Sequence, residues 1–286
     1  MRVPRFFARG EDRTVLENLL QSSIGEDSQI VLCEPELLKQ MRNVLRLGSG
    51  SKIVMLDNKG SIFQLELVRL EKSQAICKVS AVLKADSSKA PPVELALALI
   101  KPERFEWCIE KLCELGVSRV QPVICTRSVI KWQSDSAVQK LKRWEAIARE
   151  ACEQCERATI PDIVTPVPVN QFLKANASHR EQPAKATSAS GLDDNAGDLF
   201  FICAERQEVA PLVKALSGKI YKADTLAIKS IDSITLLVGP EGGFSEEELH
   251  AAIDSGGLPV SLGNRILRSE TAAIAAMCQI ASILDI

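Results

Sequence analysis

The last third of the chain holds two glycine-bearing turns with ionisable neighbours. They are Leu236-Leu237-Val238-Gly239-Pro240-Glu241-Gly242-Gly243-Phe244-Ser245 and Leu262-Gly263-Asn264-Arg265-Ile266-Leu267-Arg268-Ser269-Glu270-Thr271-Ala272. In each, an apolar run fit for a buried strand stops at glycine, and the chain then enters a helix whose first amides lack intrahelical partners. Backbone donors in that setting hold a polar small molecule. Glu241 and Glu246 to Glu248 make the first turn acidic, so it suits a ligand with positive charge better than a triphosphate. It has neither the Lys-Ser/Thr of a P-loop nor the spacing of a Rossmann Gly-x-Gly-x-x-Gly. The bland alternatives are a plain βα turn that needs glycine for positive φ, and surface pairing of Arg265 and Arg268 with Glu270. Two such turns at neighbouring strand ends favour a site, because open α/β sheets bind ligands beyond the carboxyl ends of their strands.

Other chemistries find less support. The two histidines, His179 and His250, fall in a polar stretch and within an ordinary helical pattern, so no Ser/His or Cys/His couple forms. The nine cysteines are scattered in apolar contexts, as reduced, buried thiols are. Cys152 and Cys155 form a lone Cys-x-x-Cys inside a helical pattern, without a second pair at zinc spacing; helix packing explains it, and no metal is expected. Chemistry without histidine, metal or nucleophile points to group transfer in which a cofactor brings the reactive centre. At the other end, Met1-Arg2-Val3-Pro4-Arg5-Phe6-Phe7 sets arginines beside aromatics, a combination that pairs phosphates and stacks bases. The alternative is a tail whose phenylalanines tuck into the adjoining sheet. Arg42 and Arg46, four apart on one expected helix, would extend a basic face with Arg69.

The elements that must position these residues fall into two groups. Residues 28–83 read as short strands, Gln29 to Leu32, Lys52 to Leu56, Ile62 to Leu70 and Ala75 to Val82, with Asp57-Asn58-Lys59-Gly60 as a hairpin turn and a helix over Pro35 to Leu47. This predicts a small β barrel or curled sheet over 1–84. Ala85 to Pro92 is polar and proline-bearing, a linker. From 93 to 286 the rhythm becomes strand, helix, strand, which predicts an α/β fold with a mostly parallel sheet and helices on both faces. Its strands fall at Val93 to Ile100, Val120 to Cys125, Leu199 to Cys203, Ser233 to Val238 and Pro259 to Leu262. Ser245 and Glu248 form a capping box, and Ser269 is expected to cap the last helix. Residues 174–198 are poor in large apolar side chains and are expected to be a mobile insertion.

Composition sets the outer bounds. A hydrophobic share of 46% is ordinary for a globular chain of 286 residues. Residues 1–90 carry 14 Lys and Arg against 11 Asp and Glu, leaving 21 against 26 for the remainder. That asymmetry permits an anionic partner for the first part without announcing one. No run approaches the roughly 18 apolar residues of a membrane helix, and no secretory core precedes a cleavage site. A soluble, cytoplasmic protein without membrane association is expected, or an organellar one if a transit peptide has been removed.

Taken in order, several segments resemble the RsmE family, the 16S rRNA (uridine N3) methyltransferases of the SPOUT superfamily. They are Met1 to Phe7, Val44-Leu45-Arg46-Leu47, Lys101 to Val129, Ala151-Cys152-Glu153-Gln154, Gly239 to Phe244 and Leu262 to Ala272. The resemblance covers almost the whole chain and departs from the family at Glu156-Arg157 and at residues 176–198. It implies a PUA-like β barrel for RNA over 1–84. It also implies a SPOUT domain over 93–286 with a trefoil knot, a fold no periodicity would propose, and homodimers acting on 16S rRNA within the small ribosomal subunit.

Carried over by resemblance, S-adenosyl-L-methionine lies against Gly239, Pro240, Glu241, Gly242 and Gly243, and against Leu262, Gly263, Arg265, Ile266, Leu267, Arg268 and Thr271. Cys203 and Ala204, with Glu205, supply a third wall. Arg2, Arg5, Phe6, Arg42 and Arg46 are the expected RNA contacts. Arg268, with Arg5, would stabilise charge on uridine, and Glu270 or Glu241 would orient or deprotonate it. The alternatives are a SPOUT enzyme with another RNA target and a non-catalytic RNA-binding assembly factor.

Overall fold

The computed structural model describes residues 3–21, 28–85, 90–132, 136–180, 195–204, 209–220 and 230–285. The chain divides into two compact units, Met1–Ser87 with Arg149–Ile160, and Ser88–Ala148 with Pro161–Ile286.

In the first unit the strands are β1 (Arg5–Phe7), β2 (Gln29–Leu32), β3 (Lys52–Leu56), β4 (Ser61–Leu70) and β5 (Ala75–Lys84), arranged β1-β3-β4-β5-β2. All pairings are antiparallel except that of β1 with β3. Along β4 the residues Phe63, Leu65 and Leu67 are buried while Gln64 and Val68 face outward, the period of two of a sheet with one face packed. Register shifts between β4 and β5 bend the sheet over its core. Helix α1 (Gly10–Gln21) lays Leu16 and Leu19 on that core. It is tied down by Asp12, whose carboxylate accepts the amides of Cys33 and Glu34 at 2.6 and 3.2 Å.

Two expectations change here. Phe6 is not a base-stacking residue: β1 is a strand, and Phe6, 2% exposed, lies in the sheet core. Arg42 and Arg46 do not share a helix face. The helix α2 (Pro35–Lys39) runs into a π turn, Gln40–Val44, and Arg46 lies beyond it with φ 52°. Arg5 places Nη2 2.9 Å from a Glu156 carboxylate oxygen. The segment 149–160 joins this unit through such contacts, as the Phe7 amide donates to Glu153 at 2.9 Å and the Ile160 amide to Asn58 at 2.6 Å.

The second unit contains β6 (Val93–Ala98), α3 (Pro102–Glu114), β7 (Arg119–Ile124), α4 (Ala137–Cys155), β8 (Asp162–Ile163), β9 (Val167–Pro168) and α5 (Val169–Arg180). They are followed by β10 (Asn195–Cys203), α6 (Leu212–Ile220), β11 (Ser230–Val238), α7 (Glu246–Asp254), β12 (Leu258–Val260) and α8 (Ser269–Leu284). The last part of α4 counts with the first unit. The sheet runs β12-β10-β11-β6-β7-β8, with β9 also on β7, and every pairing is parallel.

Its central strands carry buried apolar runs, Leu95 to Ala98, Leu199 to Ile202 and Leu236 to Val238, as strands covered on both faces do. On α3 the buried residues Phe105, Cys108, Ile109, Leu112 and Cys113 follow the spacing of one helical face. Helix α8, apolar nearly all round, packs against α3, α6, β6 and β11. Residues 174–180 complete α5 and 195–198 open β10, so both ends of the expected insertion are regular structure. Val169, Phe172 and Leu173 anchor the helix, and pairing with β11 extends the strand. Residues 181–194 lie outside the described residues.

Between α7 and β12 the chain passes close under β10. A Cβ at Gly257 would sit 2.6 Å from Ile202 Cδ1 and 2.8 Å from the Ala252 carbonyl oxygen. The backbone oxygen cannot yield as a side chain would. Gly257→Ala is therefore expected to destabilise the protein by about 2 kcal/mol, read by chemical denaturation; a change below about 0.5 kcal/mol would mean that the α7–β12 corner is looser than this packing.

Candidate functional site

Cys203, Val238 and Val260 stand level with one another at the carboxyl ends of β10, β11 and β12. The loops that follow these strands enclose a cavity of about 640 Å³. Both glycine turns meet there. Gly239, Glu241, Gly242 and Gly243 form one wall, Leu262, Gly263, Arg265, Ile266 and Leu267 another, and Cys203 with Ala204 the third. Glu205 lies outside the described residues. Gly243 and Gly263 have φ of 69° and 127°, conformations that side chains resist. The glycine turns thus take the positive φ expected of them and line one cavity.

The remaining predicted residues stand outside the lining. Pro240 is buried and shapes the first turn from behind. Arg268 and Thr271 are exposed at the start of α8. Ser269 does not cap this helix: Arg268 occupies the N-cap without a side-chain bond, and Ser269 is its buried first residue, lining the cavity. The capping box on α7 is present, with Ser245 Oγ accepting the Glu248 amide at 3.1 Å and Glu248 Oε2 accepting the Ser245 amide at 2.9 Å. The cap therefore satisfies the Ser245 and Glu248 amides themselves.

Two arginines were missing from the sequence-based site. Arg127 lines the cavity and donates from Nη1 to the Gly242 carbonyl at 3.3 Å. Its Cβ lies 3.2 Å from where a Gly242 Cβ would stand. Arg104, from the first turn of α3, places Nη1 3.6 Å from Glu241 Oε1 and 3.5 Å from Glu270 Oε1. Glu270 thus pairs with Arg104 rather than with Arg265 or Arg268. No sequence signal marked Arg104, because the pairing of β6 with β11 that brings the first turn of α3 beside the first glycine turn is a matter of strand order.

Glu248 carries a second task. It is 4% exposed, and its Oε1 accepts the Thr126 amide at 2.6 Å and the Thr126 hydroxyl at 2.9 Å. One carboxylate therefore fixes both α7 and the loop that carries Arg127. Burial pushes the Cys203 thiol up to about 12, so at neutral pH it is a neutral wall of the cavity and not a nucleophile. Among the described residues no group of three or more His, Cys, Asp and Glu is placed to hold a metal, and no helix is long and apolar enough to cross a membrane.

The RNA methyltransferase domain family matches residues 87–281. A Synechocystis protein named ribosomal RNA small subunit methyltransferase E is 32% identical over 248 residues, covering 87% of this chain and 71% of its own. The chain belongs to this RNA methyltransferase family. A Bacillus subtilis protein of the same name is 28% identical, covering 83% of this chain and 84% of its own. Two solved structures share the architecture over 99% of this chain and 98% of theirs. One, from Legionella pneumophila in complex with the bound cofactor SAM, has 27% identity and a TM-score of 0.73. The other, a ribosomal RNA small subunit methyltransferase E from Neisseria gonorrhoeae bound to S-adenosyl methionine, has 25% identity and a TM-score of 0.71. The α/β unit with its parallel sheet and flanking helices is the part that matches the family.

Proposed function

We propose that this chain is an S-adenosyl-L-methionine-dependent methyltransferase acting on N3 of a specific uridine in 16S rRNA within the small ribosomal subunit. The observation that carries the reading is the cavity at the ends of β10, β11 and β12, of a size that suits a small-molecule cofactor. Its lining is divided. Leu262, Ile266 and Leu267, with Val238 and Val260, offer apolar surface for an adenine ring, and the two turns offer backbone groups for its edge. Glu241 against Arg127 and Arg265 offers the charges that a zwitterionic amino acid with a cationic sulfur requires. These residues fit the cofactor, which when bound supplies a methyl group on a sulfonium.

The chain must then hold uridine in line and take its N3 proton. Glu241 lines the cavity, whereas Glu270 is 6% exposed and stands behind it. Glu241 is the carboxylate placed to receive that proton. Arg268, exposed at the N-cap of α8, offers charge to the uridine carbonyl oxygens as the ring becomes anionic. N3 lies on the pairing edge, so the uridine is unpaired or turned out.

The finer architecture belongs to the same proposal. The unit over 1–84 is a PUA-like barrel that binds RNA, joined by 85–92 to a SPOUT domain over 93–286. Exposed Arg46 and half-buried Arg42, which donates to the Glu71 carbonyl at 3.4 Å, are its candidates for phosphate contacts. A trefoil knot belongs to the same proposal because the family resemblance implies it. The enzyme is cytoplasmic and works as a homodimer, as the family resemblance implies. Incubation with S-adenosylmethionine and unmethylated small subunits is expected to give 3-methyluridine at one position of 16S rRNA, mapped by mass spectrometry. Methylation of another base or RNA would retain the enzyme and replace its target; no calorimetric binding of S-adenosylmethionine would sink the proposal.

A further inference from the structure

Arg104 stands where two carboxylates converge. A single guanidinium nitrogen lies within 3.6 Å of Glu241 on the cavity wall and 3.5 Å of Glu270 at the start of α8. At these distances the contacts are coulombic rather than short hydrogen bonds. The Glu270 side chain is 8% exposed, and its Oε2 is buried with no hydrogen-bond partner. A buried carboxylate so poorly supplied with donors takes its compensation from a neighbouring cation. On α3 the other titratable neighbour of Glu270 is Cys108, pushed up to about 12 by burial and by Glu270 itself, and therefore neutral. On the cavity side, Glu241 shares its surroundings with Arg127 and Arg265.

Resting on the methyltransferase reading above, we infer that Arg104 is a positioning residue: it bridges Glu241 and Glu270 and holds Glu241 against the cavity as its proton-accepting carboxylate. The bridge also joins the three segments that follow β6, β11 and β12, so the catalytic carboxylate is set by α3 as well as by its own glycine turn. Nothing in this role touches substrate. Its effect is on the position and direction of the Glu241 carboxylate.

The test compares wild type, Arg104→Gln and Arg104→Lys in full-length protein, measuring kcat and KM for S-adenosylmethionine on small subunits. Arg104→Gln leaves the two carboxylates without the cation that holds them together, so Glu241 should lose its fixed place on the cavity wall. The kcat of this variant should fall about tenfold or more, with a smaller change in KM. Arg104→Lys should restore most of kcat. Should Arg104→Gln fail to fold, Glu270→Gln reads the same bridge from the other side: kcat should fall with a smaller change in KM, and by less than in Glu241→Gln. An unchanged kcat in the variants that fold, or a lysine variant no better than glutamine, overturns the inference. An inactive wild type would instead strike at the methyltransferase reading itself.

Discussion

Glu241→Gln is expected to lower methylation turnover about a hundredfold or more, the range in which a positioned general base contributes, while leaving the protein folded. Glutamine keeps the shape of the side chain and an oxygen, and the native side chain is 27% exposed with only a 3.6 Å contact to Arg104. Little packing is lost. What disappears is the negative charge on the cavity wall and with it the acceptor for the uridine N3 proton. Two roles for that charge give different kinetics. If Glu241 only attracts a cationic cofactor, KM for S-adenosylmethionine rises and kcat holds; if it takes the proton, kcat falls with a smaller change in KM. The second pattern is expected. Glu270→Gln, made on a buried carboxylate outside the cavity lining, is expected to cost less activity than Glu241→Gln. The reverse order would make Glu270 the base.

The sequence exposed those parts of the protein in which local chemistry and tertiary structure agree. The βα turns at Gly239 to Gly243 and Leu262 to Gly263 were visible because an apolar strand, a glycine and a helix succeed one another along the chain. The cap of α7 was legible because Ser245 and Glu248 are three residues apart. Arg104 and Arg127 were not, because each meets the site through strand order: β6 lies beside β11, and β7 beside β6. Spacing along the chain carries no trace of that. Phe6 misled because a short strand such as β1 has no periodicity to announce it, and an aromatic beside arginines reads equally as a stacking platform or as core. Ser269 misled for a related reason. It is a good capping residue in the right stretch, but the helix begins one residue earlier than the cap reading requires, and packing buries Ser269 against the cavity.

That dependence on contacts distant in sequence makes Glu248→Ala the larger stability test. The change removes the acceptor of three hydrogen bonds, from the Ser245 amide, the Thr126 amide and the Thr126 hydroxyl. The site is 4% exposed, so water cannot readily replace the carboxylate. Donors left unpaired in such a place, together with the lost cap, amount to about 3 kcal/mol or more. All three tryptophans, Trp107, Trp132 and Trp144, belong to the second unit, and Trp144 packs at a tilt against Phe105 with centroids 4.7 Å apart. Tryptophan fluorescence in a denaturant titration therefore follows this unit, and its midpoint should fall. The same loop carries Arg127, held over Gly242, so affinity for S-adenosylmethionine should fall as well under conditions where the variant remains folded. Glu248→Gln should lie between, because one amide group cannot accept from both the Ser245 and Thr126 amides. A wild-type midpoint and wild-type affinity in Glu248→Ala would show that the Thr126 loop is held by other means, and that Arg127 owes its place on the cavity wall to Gly242 alone.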